Sequence, residues 1–168
     1  GGDPVIAGAQ VGYLNFIGAG GGAFFLAPDG ESGEMPMLLW GSPDPDRDGA
    51  LDSHVPLHEL THGMTTRIIG DAAGLNWRPG GSLGEGWSDF FALALTHSSP
   101  GDDPDGQYPL VPYVGYRYSS RSYPVPDFTD NYVYGIRSFP YSTDNRVNSL
   151  TWADADDLTG DYSGGIPS

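Results

Sequence analysis

The stretch Val55-Pro56-Leu57-His58-Glu59-Leu60-Thr61-His62-Gly63-Met64 constrains the fold of this chain more than any other. Proline is accepted in the first turn of a helix and disrupts its interior, so Pro56 sets a helix start near Ser53. Gly70 marks the stop, and the expected helix covers residues 53–69. Val55, Leu57, Leu60, Met64 and Ile68 recur close to the helical period and form its apolar stripe. His58 and His62 then stand one turn apart on one face, with Cβ atoms roughly 5–6 Å from each other. Two imidazoles so placed can point at one ion, and zinc takes such nitrogens at about 2.0–2.1 Å. Glu59 falls beside that ion, where it can take a proton from water instead of ligating.

A third donor comes from Leu83-Gly84-Glu85-Gly86-Trp87-Ser88-Asp89-Phe90-Phe91. A catalytic zinc uses three protein ligands and keeps one position open, and Glu85 completes a His₂Glu set. A second helix is expected over residues 82–96, with Glu85 in its first turn. Asp89, four residues on along the same face, can accept the free N–H of a ligating histidine. His54, one turn before His58, reads as a first-turn surface side chain, Glu85 already filling the third ligand position. His97 reads as a C-terminal cap favoured by the helix dipole.

Residues 42–52 place Asp44, Asp46, Asp48, Gly49 and Asp52 at the spacing of the first nine positions of a calcium loop. Position twelve would be Val55 where such a loop has Glu. Two readings stand side by side: a calcium site, or an acidic turn in which Asp52 or Ser53 caps the following helix.

The 26 Gly and 15 Pro among 168 residues point to long irregular loops between few regular elements. Residues 11–17, 23–27 and 35–40 are the strand candidates. A net charge of −15 argues against nucleic acid or an anionic membrane as partner. No apolar run reaches membrane-spanning length. The absence of Cys removes disulfides and thiolate metal sites from consideration.

Four blocks in order resemble the fungalysin family of secreted zinc endopeptidases, in the thermolysin-like clan. They are Gly30-Glu31-Ser32-Gly33-Glu34-Met35-Pro36-Met37-Leu38-Leu39-Trp40; residues 58–63; Gly84-Glu85-Gly86-Trp87-Ser88-Asp89-Phe90; and Gly135-Ile136-Arg137-Ser138-Phe139-Pro140-Tyr141-Ser142-Thr143-Asp144. The resemblance implies an α+β, zincin-like metalloprotease domain with few strands, two active-site helices and long loops. It also implies zinc held by His58, His62 and Glu85, Glu59 as general base, a polypeptide substrate, secretion, and an inhibitory propeptide. The family continues past the last block into a helical C-terminal domain that walls the other side of the cleft. Residues 1–168 are therefore expected to be a single catalytic subdomain, a portion of a longer protease. A second reading is a catalytically incomplete metal-binding fragment, a structural part of an extracellular assembly or of a processed protease. Residues 108–134 carry seven Tyr, which either line substrate subsites or pack over a small core with their hydroxyls wet.

Overall fold

A computed structural model describes residues 2–11, 22, 24, 30–41, 45–70, 75, 80–103, 105–115, 131–137, 139–151 and 153–154. The architecture is mixed α+β, with a small sheet and few helices, the class expected from the sequence. Strands β1 (Val5–Val11), β2 (Gly33–Trp40) and β3 (Arg47–Asp48) form one sheet in that order, β1 parallel and β3 antiparallel to β2. Residues 12–17, most of the first strand candidate, lie outside the described residues, as does most of the second. Of the latter's surroundings, Gly22 is described and bridges Met37 in antiparallel fashion.

The central strand β2 has the alternation that a half-buried strand requires. Met35, Met37 and Leu39 turn inward and Glu34 outward, while Trp40 is buried at the end. Pro36 pairs with Gly8, and the β1–β2 register shifts directly afterwards, between Gly8 and Val11. A proline has no N–H to give to a ladder, so an irregularity is expected where it sits.

The short helical turn Gly49–Leu51 leads into α1 (His54–Ile68), and α2 (Gly80–Thr96) packs against α1. A four-residue helix, α3 (Asn131–Tyr134), follows later. The core joins Met35, Met37 and Trp40 of β2 to Val55 of α1, Ala92 and Leu93 of α2, and Leu110, Val111 and Val114. The sheet and α2 both pack against α1, and the shared core holds the facing sides of the two helices together.

Three expectations are corrected here. The start of α2 lies at Gly80, two residues early, so Glu85 falls in the second turn. His54 is buried, not on the surface: its Nδ1 accepts from Val111 N at 3.0 Å and its Nε2 faces Thr96 Oγ1 at 3.1 Å. Burial pushes its pKa down, and a neutral ring suits the acceptor role at Nδ1. The apolar stripe of α1 is buried only in its first half. Val55 is inside and Leu57 and Leu60 pack on the core, whereas Met64 and Ile68 are exposed.

The acidic loop is described in part. Asp44 lies outside the described residues, and Asp46 is exposed. Asp48 Oδ1 accepts from Ala50 N at 3.0 Å and Gln10 N at 3.4 Å. Asp52 accepts from His54 N, Tyr113 N and Val114 N at 3.0–3.2 Å, while Ser53 gives no side-chain cap. These carboxylates cap the turn and α1 and tie down the 111–115 loop. Of the tyrosines, Tyr113 and Tyr132 flank the Arg47 guanidinium at 4.7 and 5.8 Å from their ring centres, a packing role.

Candidate metal centre

The two facing helices bring three side chains to one point. His58 Nε2 and His62 Nε2 are 2.9 Å apart. Glu85 Oε2 lies 3.3 Å from His58 Nε2, and Oε1 lies 3.2 Å from His62 Nε2. Among the described residues these three form the one cluster of histidine and acidic side chains able to share an ion, their donor atoms within 4.8 Å of one another. Ligands at about 2.0–2.1 Å around a tetrahedral ion are separated by roughly 3.3 Å, so the observed spacings are close to what zinc requires. Two nitrogens and a carboxylate oxygen are also the donor chemistry that zinc accepts. The residues present therefore fit the ion.

Behind these donors lies a second layer of contacts. Asp89 is fully buried on α2, with Oδ1 2.7 Å from His58 Nδ1. That is an ion-pair distance, with the N–H too oblique for an aligned hydrogen bond. Arg137 donates from Nε to Asp89 Oδ2 at 2.7 Å and from NH2 to Asp89 Oδ1 at 2.9 Å. The same NH2 reaches Glu85 Oε2 at 3.1 Å. Tyr141 donates its hydroxyl to Asp89 Oδ2 at 2.7 Å. A buried carboxylate is stable only when paired in this way.

The charges shift one another accordingly. Burial by itself would lower the pKa of His58, but the contacts with Asp89 and Glu85 outweigh it and raise the pKa to about 9. Burial would raise Glu85 and Asp89, yet His58 and His62 hold Glu85, and His58 and Arg137 hold Asp89, below the usual carboxylate range. Glu59 goes the other way. Its burial raises the carboxyl, and His58 and His62 offset that only in part. A half-buried carboxylate with a raised pKa, one residue from a donor and not among the converging atoms, is suited to exchanging protons.

Close backbone approaches set two of these positions. A Cβ at Gly22 would lie 2.7 Å from Glu59 Cγ, so only glycine lets that segment pack against the Glu59 side chain. Gly135 has φ of +71°, and a Cβ there would lie 2.5 Å from the Leu110 backbone. With Ile136 N donating to Leu110 O at 3.1 Å, this turn directs Arg137 inward.

The sequence patterns assigned no role to Arg137, Tyr141 or Gly22. Arg137 and Tyr141 do stand in the fourth family-like block, but no local periodicity links them to Asp89, 48 and 52 residues away.

Two histidines one helical turn apart, met by a carboxylate from the next helix and braced from behind, are arranged as in the class of metallopeptidases built on paired helices. Residues 1–166 match the family described as fungalysin metallopeptidase, and the chain belongs to that family. It is similar to extracellular metalloproteinase 2 of Phaeosphaeria nodorum, 37% identical over 139 residues, covering 81% of this chain and 19% of that protein. It is likewise 35% identical over 161 residues to extracellular metalloproteinase mep of Aspergillus fumigatus, covering 94% and 22%. The corresponding figures for extracellular metalloproteinase 2 of Trichophyton rubrum are 35% over 157 residues, 92% and 22%. The chain thus spans about a fifth of the length of these curated relatives.

Proposed function

We propose that this chain is the zinc-binding part of a secreted endopeptidase that hydrolyses peptide bonds in proteins. The observation that carries the reading is the convergence of His58 Nε2, His62 Nε2 and the Glu85 carboxylate, with Glu59 beside them. His58, His62 and Glu85 would hold the ion. When bound, zinc supplies Lewis-acid polarisation of a carbonyl and lowers the pKa of water toward about 7. Glu59 takes the proton of the attacking water and passes it to the leaving amine nitrogen, which needs one carboxylate to serve as base and then as acid. Asp89, in charge contact with His58 Nδ1, would steady the ring with Nε2 at the converging point. Arg137 keeps the two carboxylates from repelling each other. An inhibitory propeptide and a helical C-terminal domain, as partners implied by the family, belong to the same proposal.

The deciding experiment pairs metal analysis with Glu59→Gln. The chain should carry about one zinc, removed by a strong chelator. Glu59→Gln should keep that zinc while casein cleavage stops. Native protein without any first-row metal would sink the site assignment, and a variant within about tenfold of the parent would show that another group is the base.

A second reading rests on the chain spanning about a fifth of its relatives. Here the segment binds the metal but needs further polypeptide to cleave a peptide. Zinc at full occupancy in residues 1–168 without casein cleavage, restored by a longer chain, would select it.

A further inference from the structure

We infer that Tyr141 is a positioning residue for the metal centre, acting through Asp89 on His58. The inference rests on the zinc reading above and extends it outward by one residue. Among the described residues Asp89 has four polar contacts, two at each oxygen. Oδ1 faces His58 Nδ1 at 2.7 Å and Arg137 NH2 at 2.9 Å. Oδ2 accepts from Arg137 Nε and Tyr141 Oη, both at 2.7 Å. A carboxylate offers about four lone-pair sites, so Asp89 is saturated. It is also fully buried, so water cannot stand in for a lost partner.

Arg137 grips the carboxylate with two parallel bonds, but its NH2 is shared with Glu85 Oε2, so the fork answers to both carboxylates. The hydroxyl of Tyr141, four residues further on, adds a third anchor at Asp89 Oδ2. Tyr141 is itself mounted on a backbone bridge: its N donates to Tyr108 O at 3.0 Å and its O accepts from Tyr108 N at 2.9 Å. Its ring packs against the core cluster. Burial and the charge of Asp89 keep the phenol protonated, as a donor must be. The line from bridge to ion is then rigid: Tyr108 backbone, Tyr141 hydroxyl, Asp89, His58 Nδ1, and His58 Nε2 at the converging point.

The test is Tyr141→Phe in the full chain, which keeps the ring and its packing and deletes only the donor. Zinc affinity, read by chelator competition at fixed pH, should fall about 10-fold, the lower end of what losing an outer partner of a ligand costs. In an Asp89→Ala background the same substitution should change zinc affinity no further, since the path to His58 is already cut. Melting of the metal-free protein is followed in parallel. A purely structural role would lower that melting temperature and leave zinc affinity unchanged, and this result overturns the inference alone. A loss of affinity that persists in full in the Asp89→Ala background also overturns it. Wild-type chain that takes up no zinc would overturn the zinc reading and this inference with it.

Discussion

The inner and outer faces of α2 are built the wrong way round for a helix on the surface of a soluble protein. The inner face carries Glu85, Ser88 and Asp89 together with Ala92 and Leu93, and all but the half-buried Glu85 are buried. The outer face carries Leu83, Trp87, Phe90, Phe91 and Leu95, between 37% and 62% exposed. Amphipathic helices ordinarily put the apolar stripe inside. The inner polar groups persist because they are paired: Asp89 has His58, Arg137 and Tyr141, and Glu85 has the two histidines and Arg137. Ser88 is the exception, with its hydroxyl buried and no hydrogen-bond partner among the described residues. The burial of α2 is therefore organised by charge pairing, with apolar contact concentrated at Ala92 and Leu93. The outer stripe is apolar surface that the described residues leave uncovered.

The largest effects are expected on the inner face. Glu85→Ala removes one of three converging donors and should abolish most zinc binding, as measured by metal content after gel filtration. Asp89→Ala should lower zinc affinity by roughly 10–100-fold, because the ring of His58 loses its partner. It also leaves Arg137 buried without its main counter-charge, which costs about 3–5 kcal/mol in denaturant unfolding. Tolerance of either substitution would mean that the inner charges do not organise the helix.

A pH titration sharpens the same point. With the His58 pKa raised to about 9 in the metal-free protein, the folded chain keeps that proton where the unfolded chain, near 6.5, has lost it. The stabilisation from this pair is therefore fully present below 6.5 and is lost as pH rises through about 9. Zinc affinity should climb over the same interval, since the ion competes with the proton. Urea midpoints of the metal-free chain that stay level from pH 6.5 to 9 would contradict the pairing.

Smaller effects separate packing on the two faces. Ala92 is completely buried, so Ala92→Leu should overpack the core and cost about 1–3 kcal/mol. Phe90→Ser on the outer face should stay within about 0.5 kcal/mol in the chain as described. A loss well above that in a longer form of the protein would show that further polypeptide covers the outer stripe.

Much of the site was legible because its parts are local. Pro56 and Gly70 bracket α1 through the missing N–H of proline and the φ of +60° that Gly70 adopts. The spacing of His58 and His62 needs only the helical period. Glu85 and Asp89, also four apart, share a face of α2 for the same reason, although the helix begins earlier than its Ser82 suggested. The strand over residues 35–40 was visible as an apolar run, and the structure extends it back to Gly33.

What the sequence determined by itself was the set of donors and the period that aligns them, because both depend on neighbours within a single turn. What only the tertiary structure decided was what faces those donors. His54 turned inward to take the Val111 N–H, the Asp48 and Asp52 carboxylates went to backbone amides, and Arg137 and Tyr141 arrived at Asp89 across about fifty residues of chain. No periodicity encodes such meetings. They follow from where the loops can run once the core has closed, and from the high cost of leaving a buried charge such as Asp89 without partners.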